Sequence, residues 1–115
     1  MTNVLFVCSQ NLIRSVTAED LFISWPDINV ASAGTNHDAA TPLTADLVES
    51  ADIIIVMQNI HRQKLNARFK SLLRNKKVVS LDIPDIYTYM DPELVKILNT
   101  VVPKHLPQRP QNSSP

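Results

Sequence analysis

A short, wholly apolar run near the N-terminus leads into the only cysteine of the chain. The run Val4–Val7 is followed directly by Cys8, and Arg14 and Ser15 come shortly after, where a helical pattern begins. A continuous apolar run of this length is typical of a strand that is buried on both faces of a parallel sheet. The segment therefore predicts a strand, a tight loop and a helix, in that order.

A tight loop between a buried strand and a helix N-terminus can bind phosphate. Backbone N–H groups converge there, and the helix dipole favours negative charge. The guanidinium of Arg14 can hold two phosphate oxygens, and the same field favours the thiolate of Cys8, which is then a nucleophile in line with the phosphoryl group. The alternative is an ordinary strand–helix unit with a small buried cysteine. The strand before the Cys-x5-Arg pattern and the helix after it favour the phosphate site.

The rest of the chain alternates between strand and helix patterns. Further strands are predicted at 28–33, 52–57 and 78–81, and helices at 15–24, from 44, from 59 to about 74 and from 91. Thr44, Asn59 and Asp91 are the expected N-caps. The alternation predicts an α/β fold of three layers, αβα, with a four-stranded parallel sheet. Ligands bind such sheets at the carboxyl ends of the strands, where Cys8 lies. The buried side of the third helix is expected to carry Ile60, Leu65, Phe69, Leu72 and Leu73.

Length and composition predict one domain that folds without disulfide bonds or a structural metal ion. With 115 residues, the chain can bury its own core, which we expect at 1–102. Positions 103–115 hold four of the eight prolines and are predicted to form a flexible tail. One cysteine excludes an intrachain disulfide framework, no apolar run is long enough for a bilayer, and we expect a cytoplasmic protein. No metal-binding cluster is evident and no cofactor is implied. The sequence does not define the oligomeric state.

A basic segment runs from 62 to 77, with seven basic residues and no acidic ones. It could bind an anionic partner such as nucleic acid or an acidic peptide, or it could be the solvated face of an amphipathic helix. We favour the solvated face, because a stacking surface would need aromatic side chains interleaved with the charges. The net charge of zero also implies no general attraction to nucleic acid or acidic lipid, so neither nucleic acid nor membrane is an expected partner.

The residues from the cysteine onward resemble a known family, the low-molecular-weight protein tyrosine phosphatases, and the arsenate reductases that share their fold. The family reads Cys-Thr-Gly-Asn-Ile-Cys-Arg-Ser-Pro-x-Ala-Glu after its first strand. Positions 8–19 read Cys-Ser-Gln-Asn-Leu-Ile-Arg-Ser-Val-Thr-Ala-Glu. The resemblance continues at 32–35, 52–57 and 83–87, and so covers most of 1–100. It implies a flavodoxin-like fold and the Cys-x5-Arg phosphate loop of a cysteine phosphatase.

The resemblance also implies roles for single residues. Cys8 would be the nucleophile, Arg14 would bind phosphate, and Asp85 would be the general acid and base in the loop after the fourth strand. Asp82 and Asp91 compete for the acid role, although Asp91 is better explained as a helix cap. The residues implied to bind phosphate or to shape its pocket are Ser9, Gln10, Asn11, Leu12, Ile13, Ser15 and Tyr87.

Two of these residues have specific expected tasks. The Ser15 hydroxyl would donate to the Cys8 thiolate, and its alternative role is a helix N-cap. The Asn11 amide would bridge loop carbonyls, and Asn11 is also the best candidate for a left-handed residue in a loop without glycine. Tyr87 would wall the pocket, or it would be a partly buried core aromatic.

Three departures from the family pattern bear on specificity. Gln10 stands where the family has glycine, and Ile13 stands where many relatives have a second cysteine. The segment after Gly34 is short, and relatives carry a loop and a helix there that supply an aromatic wall for phosphotyrosine. The chain is therefore expected to be a short variant of the family with a shallower pocket. His37 could replace part of the wall or be a solvated loop residue.

The function predicted from these features is hydrolysis of phosphomonoesters through a phosphocysteine at Cys8, as in a protein tyrosine phosphatase. The expected partners are a phosphorylated protein or a small phosphomonoester, with inorganic phosphate as product. One alternative is an arsenate reductase-like thiol enzyme, and another is a non-catalytic module that binds phosphate or phosphopeptide. Walker-type nucleotide binding is excluded, because no Gly-Lys-Ser/Thr follows the first strand.

Overall fold

Strands and helices alternate along the chain, as the sequence predicts. The computed structural model describes residues 1–107, whose strands are β1 (Thr2–Cys8), β2 (Ile28–Gly34), β3 (Ile53–Val56) and β4 (Lys77–Ser80). The α-helices are α1 (Arg14–Phe22), α2 (Ala45–Ser50), α3 (Asn59–Phe69) and α4 (Pro92–Val101). Short 3-10 turns follow α3 and α4 at Lys70–Leu72 and Val102–His105. Within residues 1–107, none of the helices combines the length and the apolar character needed to cross a bilayer.

The four strands form one parallel sheet in the order β2-β1-β3-β4. The chain leaves β1 towards one edge and returns to pair β3 on its other side, so the strand order reverses between β1 and β3. In a doubly wound sheet, ligands bind outside the carboxyl ends of the strands at this reversal. Cys8 is the last residue of β1, paired with Gly34, and its neighbour Val7 pairs with Val56 at the end of β3. The fold therefore brings Cys8 to the expected binding edge.

Each face of the sheet is covered by two helices, which confirms the three-layer architecture. Alternate side chains of β1 and β3 point to opposite faces, and β3 is buried along its whole length. On one face Phe6 and Ile55 pack with α1 and α4, through residues such as Phe22 and Leu98. The opposite face packs with α2 and α3. This double coverage explains why both strands read as continuous apolar runs.

The start of α3 differs from the prediction by one residue. Gln58, not Asn59, is the N-cap, and its backbone N–H donates to Nδ1 of His61 at 3.0 Å. His61 is fully buried, whereas Ile60 is 48% exposed, so the prediction that Ile60 faces the core was wrong. The physical reason is that a buried imidazole is tolerated where both ring nitrogens are paired. Leu65, one turn further on, is buried as expected.

The basic segment is used largely for internal contacts. Arg62 donates to the carbonyl of Val78 at 2.8 Å, and Lys76 donates to the carbonyls of Glu49 and Ala51. Arg68 donates to two further carbonyls. These charges tie α3 and the following turn to neighbouring segments.

The packed part of the chain extends past the predicted tail boundary at 102. Leu106 is 4% exposed and belongs to the core cluster that covers α4. The 3-10 turn after α4 brings it there, and Trp25 donates to the carbonyl of Pro107. Positions 108–115 of the predicted tail lie outside the described residues.

Candidate active site

The loop between β1 and α1, residues 8–14, is here called the Cys8 loop. Asn11 has φ 58°, which confirms the left-handed residue expected in a loop without glycine. This conformation lets the Asn11 N–H donate to the Cys8 sulfur at 3.2 Å. Helix α1 begins at Arg14, and its N-cap, Ile13, provides no side-chain acceptor. Ser15 is therefore not the N-cap, and the first N–H groups of α1 are not capped by a side chain.

The short segment after β2 holds the Cys8 loop from behind. The backbone N–H groups of Thr35, Asn36 and Ala40 donate to the carbonyls of Cys8, Ser9 and Gln10 at 2.9, 3.0 and 2.9 Å. Because these carbonyls are bonded on the outer side, the loop has a fixed shape before any ligand binds. The segment closes quickly, since Pro42 already forms a bridge with Gly34.

Gly34, the only glycine of the sequence, is required by this close packing. A Cβ at this position would lie 2.5 Å from the Ser9 carbonyl oxygen and 2.9 Å from the Gln10 carbonyl carbon. Both atoms belong to the backbone of the Cys8 loop, so a side chain could be accommodated only by moving the loop or the end of β2.

The thiol of Cys8 is buried, and its sulfur contacts the backbone N–H of Asn11 and the hydroxyl of Ser15. Its sulfur lies 3.0 Å from the Ser15 hydroxyl oxygen. The same hydroxyl oxygen accepts from the Asn11 side-chain amide at 2.9 Å. When Cys8 is a thiolate, its sulfur can only accept, so the Ser15 hydroxyl then donates to it. The prediction for Ser15 fits this geometry, whereas the Asn11 amide contacts Ser15 rather than the loop carbonyls that it was predicted to bridge.

Arg14 is buried and is anchored by the loops after two other strands. Its Nη1 donates to the Gln58 side-chain oxygen at 2.5 Å and to the Ile83 carbonyl at 2.8 Å. Its Nε lies 3.8 Å from a carboxylate oxygen of Asp85. The guanidinium is thus held in one plane by contacts that follow β3 and β4, and its Nε side faces Asp85.

One cavity of about 120 Å³ collects most of the predicted site residues. It is lined by Cys8, Ser9, Gln10, Leu12, Ile13, Arg14 and Asp85. Asn11 and Ser15 lie behind the sulfur, within hydrogen-bonding distance of it. Tyr87 is not among the lining residues and packs, partly buried, against the core, which agrees with its alternative role.

Only one of the three candidate acids lines this cavity. Asp85 is 66% exposed at its rim. Asp91 accepts from the Glu93 N–H and is the N-cap of α4, as expected. Asp82 is an exposed residue with φ 58°, two positions after the end of β4. His37 lies outside the cavity, in an open groove beside Lys64 and Arg68.

Two polar residues near the Cys8 loop were missed by the sequence analysis. Gln58 contacts Arg14, and Nε2 of His61 lies 2.9 Å from the Ser9 hydroxyl oxygen. Burial, assisted by the charge of Arg14, lowers the pKa of His61 from 6.5 to about 4, so the ring is neutral at neutral pH. The available signal was their position directly after β3, whose carboxyl end shares the edge of the sheet with Cys8.

Comparisons with known proteins agree with this geometry. No family model matches the chain. It is 32% identical over 95 residues to the protein-arginine-phosphatase of Bacillus subtilis, an alignment that covers 58% of this chain and 63% of that relative, which is less than two thirds of its length.

Solved structures match over most of the chain. The solution structure of a low-molecular-weight protein tyrosine phosphatase from Bacillus subtilis has a TM-score of 0.66 at 25% identity, covering 88% of this chain and 95% of that one. A YwlE arginine phosphatase, in a cysteine-to-serine variant whose active-site serine is phosphorylated, has a TM-score of 0.67 at 25% identity, covering 84% and 91%.

Proposed function

We propose that the chain is a short variant of the low-molecular-weight protein tyrosine phosphatase family and that it hydrolyses phosphomonoesters with Cys8 as the nucleophile. One observation carries the proposal. Cys8, Arg14 and Asp85 line the same cavity, although Asp85 comes from a loop far along the chain. A thiol, a fixed guanidinium and a carboxyl group are the three groups that phosphoryl transfer to sulfur requires.

In the first step the phosphoryl group binds against the N–H groups of the Cys8 loop and the guanidinium of Arg14. The Cys8 thiolate attacks phosphorus, so that an S–P bond forms as the bond to the leaving oxygen breaks. Asp85, in its acid form, gives its proton to that oxygen. The products of this step are the dephosphorylated alcohol or phenol and a phosphocysteine.

In the second step water attacks the phosphorus of the phosphocysteine. The Asp85 carboxylate takes a proton from this water, the S–P bond breaks, and inorganic phosphate leaves. The departing thiolate is stabilised by the hydroxyl of Ser15. The similar structure of a YwlE arginine phosphatase, a cysteine-to-serine variant with a phosphorylated active-site serine, supports a covalent route.

The shape of the cavity supports a substrate whose leaving group stays outside. A volume of about 120 Å³ suits a phosphoryl group, and the rim carries Leu12, which is 60% exposed. An apolar rim residue can pack against the flat face of an aryl group or an aliphatic stem. We propose a phosphorylated protein side chain or a small phosphomonoester as substrate.

Phosphoarginine is a second candidate substrate. The observation that favours it is the 32% identity to a protein named for arginine phosphatase activity. Its leaving group departs from a P–N bond, and the same Asp85 could protonate that nitrogen. Arsenate reduction would need an external thiol, because the sequence has one cysteine. A lone reactive thiol suits a reducing compartment, so we propose a cytoplasmic location.

The test is an assay of p-nitrophenyl phosphate together with peptides phosphorylated on tyrosine, serine or arginine. The wild type should release phosphate, and Cys8→Ser should abolish turnover while it still binds phosphate or vanadate. An arsenate arm with added glutathione separates the reductase alternative. Binding without turnover by the wild type on every substrate would favour the non-catalytic module, and turnover that survives in Cys8→Ser would contradict the covalent mechanism.

A further inference from the structure

The residues that begin α3 reach further than a helix cap requires. The Gln58 N–H is satisfied by Nδ1 of His61, an arrangement that a glutamate or glutamine three residues after the cap would also provide. Glutamate and glutamine side chains are not rings, whereas histidine holds a second nitrogen, Nε2, at a fixed place on the opposite side of its rigid ring. In His61 that atom meets the Cys8 loop.

The hydrogen bonds of His61 define the direction of its proton. Nδ1 accepts from a backbone N–H and is therefore unprotonated, so the neutral ring carries its hydrogen on Nε2. Nε2 then donates to the Ser9 hydroxyl oxygen at 2.9 Å. With its oxygen accepting from the ring, Ser9 is able to turn its own hydrogen towards the cavity that it lines.

Gln58 makes a parallel contact with the other phosphate-binding group. Its side-chain oxygen accepts from Nη1 of Arg14 at 2.5 Å, next to the Ile83 carbonyl bond on the same nitrogen. An amide oxygen gives a directed hydrogen bond without a formal negative charge. It can therefore orient the guanidinium without neutralising the charge that would attract phosphate.

We propose that Gln58 and His61 are positioning residues that act through Arg14 and Ser9, so that the guanidinium fork and the Ser9 hydroxyl both point at the bound phosphoryl group. The proposal rests on the proposed function, because it assigns these residues to the same phosphoryl site. It means that the end of β3 contributes to phosphate binding without touching phosphate.

Two substitutions of His61 separate positioning from folding. In His61→Asn the amide oxygen lies near the position of Nδ1 and can still accept from Gln58, but no donor reaches Ser9. In His61→Gln the longer amide can place a donor near the position of Nε2. We expect His61→Asn to lower kcat/KM roughly 10- to 100-fold, as for loss of a hydrogen bond that serves a charged group, and His61→Gln to stay within about threefold of wild type.

Ser9 provides the matched test of the same contact. Ser9→Thr keeps the hydroxyl and should retain activity, whereas Ser9→Ala should resemble His61→Asn. The double variant Ser9→Ala/His61→Asn should be no less active than either single variant, because the two substitutions remove the same hydrogen bond. Asn59→Ala, beside the cap and outside the network, serves as the control for changes at the start of α3. If a His61 variant does not fold, Ser9→Thr, Ser9→Ala and Gln58→Ala decide the outcome.

Inorganic phosphate binding, measured by calorimetry beside turnover, keeps this proposal distinct from the proposed function. A wild type that binds phosphate without turnover contradicts the proposed function alone, and the positioning role is then judged by phosphate affinity. We expect Gln58→Ala and His61→Asn each to weaken phosphate binding about tenfold or more. Unchanged phosphate affinity in both variants, or activities that follow the melting temperatures and not the presence of a donor to Ser9, would overturn it.

Discussion

The Ser15 hydroxyl oxygen lies 3.0 Å from the Cys8 sulfur, and the Asn11 amide donates to that same oxygen. The second contact fixes the position of the hydroxyl oxygen, and the hydroxyl donates to the sulfur whenever Cys8 is a thiolate. Asn11 in turn keeps this position through its left-handed backbone. Asn11 thus positions Ser15, four residues later in the chain, beside the Cys8 sulfur.

Ser15→Ala is expected to slow hydrolysis of the phosphocysteine more than its formation. The thiolate leaves in the second step, and a hydrogen bond to a charged group is worth about 1.5–3 kcal/mol, or roughly 10- to 100-fold in rate. Rapid-quench measurements with p-nitrophenyl phosphate should therefore show a larger burst of p-nitrophenol. A second step that keeps its wild-type rate would exclude this role for Ser15.

Arg14→Lys should lose most activity and most phosphate affinity. The Gln58 oxygen and the Ile83 carbonyl both bond to Nη1, which leaves the other guanidinium nitrogens for phosphate, whereas an ammonium has one nitrogen and cannot reproduce the planar fork. Kinetics and phosphate calorimetry measure the loss. The exposed Arg74→Lys is the matched control and should behave as wild type.

Asp85→Asn should slow esters with poor leaving groups far more than activated aryl esters. Good leaving groups need little protonation, so the acid matters less to them. The measurement is kcat/KM for a series of aryl and alkyl phosphates. Asp82→Asn, in the same loop and outside the cavity, is the control, and a larger effect from it would move the acid role away from Asp85.

Gly34→Ala should destabilise the protein and impair phosphate binding together. The added Cβ would meet the Ser9 carbonyl oxygen at 2.5 Å, and backbone atoms cannot rotate away as a side chain can. Overpacking of this kind costs about 1–3 kcal/mol. Urea denaturation and phosphate titration would measure both effects, and an alanine variant with wild-type stability and affinity would show that the loop tolerates displacement.

Acid should destabilise the folded state through His61. Its pKa is about 4 in the folded protein against 6.5 in the unfolded chain, so between these values the unfolded chain binds more protons. This contribution to stability is complete above pH 6.5 and is lost as the pH falls towards 4, by up to about 3 kcal/mol. Urea denaturation across this range should show the slope, and His61→Asn should flatten it.

The loop at the end of β1 could be predicted because its constraints are local. The loop is defined by the strand before it, the Cys-x5-Arg pattern and the helix after it. Because the loop contains no glycine, Asn11 was the best candidate for a residue with positive φ, and it has that conformation. Asp91 followed by proline is likewise a local cap signal, and the structure has the cap there.

The start of α3 could not be predicted in the same way. Asn59 is as good a cap residue as any, and Ile60 is a better core residue than histidine by hydropathy. The decision depends on Ser9, a partner distant in sequence that pairs with the His61 ring. The same limit applies to Asn11, whose amide has several acceptors within reach until Ser15 is placed beside it.

Ile13 lines the cavity beside the Cys8 sulfur, and the sequence contains no second cysteine. Peroxide that reaches a thiolate first forms a sulfenic acid, which a neighbouring thiol can trap and later release. The hydrocarbon side chain of Ile13 cannot trap the sulfenic acid in this way. Oxidation of Cys8 can then proceed to the sulfinic acid, which ordinary reductants do not reverse. Recovery of the Cys8 thiol after exposure to peroxide therefore depends on time, because an external thiol must reduce the sulfenic acid before it is oxidised further.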